Sequence, residues 1–259
     1  MTLLRQDRPS CFMITKGAMI EATYKAFVGW NLDMSLKENI KRIRETNYVG
    51  GPSNGWLKDF GKVLNRRFQS GAHTTVLIQL AQKGCDIDSW KPLLLWHMCR
   101  SDSLVYDFFA NWLYKQYQEG RRQLSSESFR DYLRGYLSSR NGSQVTWSDL
   151  NIKSSAAGLA KIAVDFGILH GRRNKELTSY VLPEKSFLFL LHVMIDEQHN
   201  AHKVINSPEW RIFMMTSDDV QKELYLLHQY RKVEFDIAGS LAQLRLPCTC
   251  AKEYARKMI

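Results

Sequence analysis

Apolar residues recur along this chain at helical spacing far more often than they alternate. The clearest run lies past the middle. Leu159, Ile162, Ala163 and Phe166 fall three or four residues apart and predict one buried stripe of a helix. Thr146 is placed to cap a short helix, and Ser154 or Ser155 to cap the next, since a hydroxyl there accepts an otherwise orphaned amide N–H. The opposite face (Ser154, Gly158, Lys161, Asp165) is small and polar, which would let a nucleic-acid backbone come close. Gly167 ends the helix, because glycine takes positive φ without steric cost. Ile168–His170 and Leu177–Leu182 predict two strands around the turn Gly171-Arg172-Arg173-Asn174-Lys175, and Pro183 closes the unit. With Glu127–Ser138 as its first helix, this stretch has the pattern of a winged helix–turn–helix.

The front of the chain is also helical. Thr15 to Trp30 is amphipathic, and Ser35 with Glu38 forms a capping box opening a helix with Leu36, Ile40 and Ile43 inward. After a turn at 50–55, Trp56–Gln69 buries Leu57, Phe60, Leu64 and Phe68 and displays Lys58, Lys62, Arg66 and Arg67. This is a second helix–turn–helix outline. Three aromatic-rich helices follow (His73–Lys83, Ser89–Arg100, Ser103–Gln118), whose rings recur at the spacing of core residues. Beyond Pro183 come a long helix (Lys185–His202), a short one at Ser207-Pro208, a third from Ser217 to about Tyr230, and a hairpin over 233–246 turning at Gly239-Ser240. The expected class is mainly α. Its domains are a helical one (1–120), a winged helix–turn–helix (121–183), and a helical module with a β-hairpin that is winged-helix-like (184–259).

Charge sharpens this picture. The chain of 259 residues carries 36 Lys and Arg against 26 Asp and Glu, a net +10. Residues 1–70 hold +6 of that excess and 126–182 hold +3, while 183–259 are neutral. Concentrated positive charge attracts polyphosphate by counterion release. The predicted contacts are Lys153, Ser154, Ser155 and Lys161 on the recognition helix, Arg172, Arg173 and Lys175 on the wing, and Lys41, Arg42, Lys58, Lys62, Arg66 and Arg67 as a second patch. Helix N-termini near Thr146 and Ser154 would add amide donors to phosphate oxygens. The expected partner is double-stranded DNA, with RNA as an alternative, and the neutral final module suits a protein contact.

Other chemistry finds little support. There is no phosphate loop, no His-Glu-x2-His and no nucleophile elbow. His192, Asp196 and His199 share a helical face, but no second helix offers a completing ligand, so no metal and no cofactor are expected and the chain reads as no enzyme. Five scattered cysteines fit reduced thiols, and Cys248-Thr-Cys250 has the wrong spacing for a zinc knuckle. The apolar run at 187–195 is too short to span a bilayer. No secretory signal is evident, so a cytoplasmic location is expected.

Several segments together resemble the BrxA family. They are Ile14-Thr-Lys-Gly17 before a helix, the basic helix pair at 36–68, Leu93-Leu-Leu-Trp-His-Met-Cys-Arg100 and Trp147…Ser154-Ser155 leading into Phe166-Gly-Ile-Leu169. Ser207-Pro-Glu-Trp-Arg-Ile-Phe213 with the hairpin after it completes the set. The resemblance runs from about residue 12 to the end; residues 1–11 have no counterpart. It implies an all-helical, winged-helix, DNA-binding component of a bacteriophage-exclusion (BREX) defence system, without catalytic residues, acting beside a methyltransferase, ATPases and a phosphatase-like protein. The alternative is a scaffold for those subunits.

Overall fold

The computed structural model describes residues 9–69, 73–139, 147–238 and 241–258, and these are mainly helical. The front comprises α1 (Cys11–Lys16), α2 (Ile20–Val28), α3 (Leu36–Thr46), α4 (Asn54–Phe68) and α5 (Thr74–Gln82). The single helix expected over Thr15–Trp30 is broken, because Gly17 (φ 74°) and Met19 (φ 51°) are left-handed and turn the chain between α1 and α2. The capping box is present: the Ser35 hydroxyl accepts from the Glu38 amide, and the Glu38 carboxylate accepts from the Ser35 amide at 2.7 Å.

At the centre lies α6 (Ile87–Ser101), capped by Asp86, whose carboxylate accepts from the Ser89 amide at 2.8 Å. Leu93 through Arg100 are all buried. A helix apolar on every side belongs in the middle of a core. Asp102 ends it in an extended conformation and caps α7 (Ser103–Tyr106), which runs through a π-helical stretch (Asp107–Leu113) into α8 (Tyr114–Gln118).

Next come β1 (Gln123–Leu124), α9 (Ser126–Ser138), α10 (Asp149–Asp165), β2 (Leu169–His170) and β3 (Lys175–Leu177). The strands pair antiparallel in the order β1-β3-β2, with Leu124 opposite Lys175 and His170 opposite Glu176. Two expectations change here. The second strand starts at Lys175 rather than Leu177, so Lys175 belongs to the ladder and the turn shortens to 171–174. In addition, β1 joins the sheet ahead of α9, where no strand was expected. Thr146 lies outside the described residues.

The remainder is α11 (Glu184–Gln198), α12 (Ala201–Ile205), a 3₁₀ turn (Pro208–Phe213), α13 (Ser217–Gln229), the antiparallel hairpin β4 (Glu234–Ala238) and β5 (Leu241–Arg245), and α14 (Ala251–Lys257). The long helix expected from Lys185 to His202 divides because His199 takes φ 50° and Asn200 caps α12 through the Lys203 amide. The turn at Gly239-Ser240 lies outside the described residues.

One apolar core runs unbroken through all three segments, with Trp90, Trp96, Phe108, Phe187 and Trp210 at 0–1% exposed. Each such side chain contributes roughly 2–3 kcal/mol of burial. Arg100 of α6 ties the middle to the end. It holds Glu197 bidentately at 2.6 and 2.7 Å and Glu209 at 3.0 Å, with its guanidinium 4.1 Å from the Trp96 ring. His73 adds a 3.2 Å contact to Glu197. These partners hold the Glu197 carboxyl down to about 2 against the opposing effect of burial.

Candidate nucleic-acid interface

Helix α10 begins earlier than its apolar stripe suggests. Ser148 is the cap, accepting from the Asn151 amide at 3.3 Å, so Ser154 and Ser155 lie inside the helix and cap nothing. Leu159, Ile162, Ala163 and Phe166 face the core as expected. Much of the small polar face does not meet solvent, because α1 lies on it at Ser154 and Gly158, while Lys161 stays exposed. A Cβ at Gly158 would stand 2.6 Å from the Ile14 carbonyl oxygen, and the Cys11 thiol is 3.9 Å from the Ser154 hydroxyl. Ser155 is fully buried and Ser154 half-buried. These residues are small because another helix approaches there, and neither serine is presented to a ligand as expected.

Past its first turn, where Asp149, Leu150 and Asn151 are exposed, α10 leaves exposed a strip of Lys153, Ala157 and Lys161. Beside this strip runs a groove of about 340 Å³, floored by Phe129, Ala156, Ala160 and Val164. Its walls carry Arg130 of α9, Lys153 and Lys161 of α10, and Arg172, Arg173 and Lys175 of the hairpin, with no carboxylate among the lining residues. Lys153, Arg172 and Arg173 are exposed and make no ion pair among the described residues. Lys161 is paired to Asp165 at 2.7 Å and Arg130 to Glu127 at 3.2 Å, both near the surface, where such pairs are worth little and yield to a competing anion. Lys175 behaves differently: its ammonium donates to the Gly171 and Arg172 carbonyls at 2.6 and 2.9 Å.

The second patch comes apart. Arg67 is buried and donates to the Gly17 and Ala18 carbonyls at 2.5 and 2.7 Å, and burial lowers its guanidinium to about 10. Arg42 donates to the Gly29 carbonyl and lies 5.2 Å from the Tyr48 ring. Arg67 is an internal strut and Arg42 a half-buried one, each engaged with backbone carbonyls rather than presented to phosphate as expected. Arg66 is half-buried and lines a small cavity with Arg67 and Asp102. Lys62 pairs with Asp59 at 3.0 Å and Lys41 with Glu45 at 3.7 Å, leaving Lys58 exposed without an ion pair among the described residues.

The histidine face is accounted for by packing. His192 is buried, donates from Nδ1 to the Leu188 carbonyl and stacks on Tyr254 at 4.6 Å, and Asp196 accepts from the Ala251 amide at 2.8 Å. Among the described residues, no three His, Cys, Asp or Glu side chains are grouped to hold a metal ion, and no helix is long and apolar enough to cross a membrane.

Arg130 is the groove residue that the sequence reading missed. Its only signal was one turn of spacing from Ser126 at the start of α9, and facing the hairpin is a tertiary fact.

Fold and site together define a mainly helical protein with six cations gathered along one groove beside a short three-stranded sheet. The BrxA family model matches residues 10–193, and the chain belongs to that family. Membership implies a component of a BREX phage-defence system. The match ends within α11, so the final hairpin lies beyond it. No curated protein matches the chain.

Proposed function

We propose that this protein is a non-catalytic, cytoplasmic DNA-binding component of its defence system, gripping duplex DNA mainly through phosphates. The observation that carries this reading is the groove between α10 and the β2–β3 hairpin: six cations line it, none of its lining residues is acidic, and four of the six make no ion pair among the described residues. The order strand, helix, helix, hairpin, with β3 between β1 and β2, supports reading the unit as a winged helix in which α10 is the recognition helix and 171–174 the wing.

Side chains suited to bidentate base contacts are sparse on the exposed strip, with Asn151 at its edge, so little sequence preference is expected. Titration of duplex DNA over a salt series tests the reading. Replacing both Arg172 and Arg173 with alanine should weaken binding alike on unrelated sequences and flatten the salt slope by roughly two units. A sharp consensus from binding-site selection, or tighter binding to RNA, would contradict it.

A second reading, a scaffold for the other subunits, draws on α13, where Tyr225, Leu226 and Tyr230 expose large apolar surface. Co-purification with a partner, lost in a Tyr225→Ser and Leu226→Ser variant and unaccompanied by DNA binding at ~100 mM salt, would favour it.

A further inference from the structure

The lysine beside the wing does a different job from the arginines on it. The 171–174 turn needs glycine at its first position, since Gly171 has φ 94° and a Cβ there would stand 2.4 Å from the Asn174 carbonyl oxygen. Such a turn brings its own carbonyl groups together on the inside. Lys175, at the start of β3, reaches back across it and donates to the carbonyls of Gly171 at 2.6 Å and Arg172 at 2.9 Å. Charge-assisted bonds of this length are roughly twice as strong as neutral ones. Two of the three ammonium donors are thus engaged within the hairpin, and the residue is half-buried, whereas Arg172 and Arg173 are exposed.

We infer that Lys175 is a positioning residue that locks the turn and so holds Arg172 and Arg173 toward a phosphate backbone, rather than a phosphate contact itself. This inference rests on the proposed DNA-binding role for its purpose, though not for its geometry. A locked turn presents two guanidinium groups already ordered, so less conformational freedom is lost on binding.

The test uses the full chain and two readouts. The first needs no DNA. Trypsin cleaves after Arg172 and Arg173 only when the turn opens, so its cutting rate there reports how often the turn opens. Lys175→Met should raise that rate roughly tenfold, the loss expected for one strong charge-assisted bond, and Lys175→Arg, which retains donors and charge, should restore it. The second readout is duplex-DNA affinity across salt. Lys175→Met should weaken binding, and Lys175→Arg should recover it in step with the protease result.

The inference is overturned if Lys175→Met leaves cleavage at the turn unchanged. Cutting unchanged while the salt slope drops by about one unit, as for a lost phosphate contact, would identify Lys175 as a contact. If the wild-type protein binds no DNA, the proposed function fails, while the protease comparison still decides whether the clamp exists.

Discussion

At the level of single residues, burial overrides polarity wherever a second helix is close. Gly158 is the sharpest case, because the Ile14 backbone fills the space its side chain would need. Gly158→Ala should therefore cost about 1–3 kcal/mol by overpacking, read as a lower urea midpoint with unchanged slope, even though alanine is the better helix former. Arg67→Met should cost more, about 3 kcal/mol, since two buried carbonyls at Gly17 and Ala18 lose their donor. The sequence held a clue to Arg67 that charge obscured. It lies three residues past Leu64 and seven past Phe60, on the same buried stripe. Arg42 likewise follows buried Asn39 by three. A long basic side chain reads as surface only while nothing is known of its neighbours.

At the level of elements, apolar periodicity located the helices well and their ends less well. The stripes of α4 and α10 and the capping box at Ser35 were legible, since each depends on residues within a turn or two. The breaks at Gly17, Met19 and His199 were not. They depend on left-handed residues that no apolar pattern marks, although Asn200 is a good cap and hinted at the last of them. His199 at φ 50° occupies a position glycine fills at lower cost. His199→Gly should raise stability by about 0.5–1 kcal/mol in urea unfolding, whereas a β-branched residue there should lower it. The π-helical stretch at Asp107–Leu113, where Phe108 and Trp112 stack on each other and pack at a tilt against Phe129 and Tyr132 of α9, has no local sequence signal at all.

For the whole molecule, buried titratable groups link the segments and set a pH response. His97 stacks on Phe68, donates from Nε2 to the Arg67 carbonyl, and is lowered by burial to about 4 from an ordinary 6.5. Between those two values the unfolded chain takes up a proton that the folded one refuses, so stability falls on acidification across that window. The drop is about 3 kcal/mol at roughly 1.4 kcal/mol per unit. Glu197, held near 2 against an ordinary 4.5, extends the loss. Its carboxylate contributes stability above 4.5 that disappears as pH falls toward 2. Urea midpoints from pH 7 to pH 3 should decline throughout; His97→Gln should flatten the upper part and Glu197→Gln the lower. Total charge pointed to a polyanion partner, yet it could not show which cations point outward. Within the N-terminal excess, the larger of the two, Arg42 and Arg67 are spent on carbonyls and Lys16, Lys41 and Lys62 on nearby carboxylates.

The seat of α1 on Gly158 has a practical consequence for anyone wishing to study the wing in isolation. A fragment beginning near residue 103 would keep every strand and helix of that unit but would bare the flank of α10 that α1 normally covers. Such a piece should associate with itself or precipitate. Supplying residues 9–19 as a separate peptide should not fully rescue it, because their other anchors, Asp59 and Arg67, would have been cut away with α4.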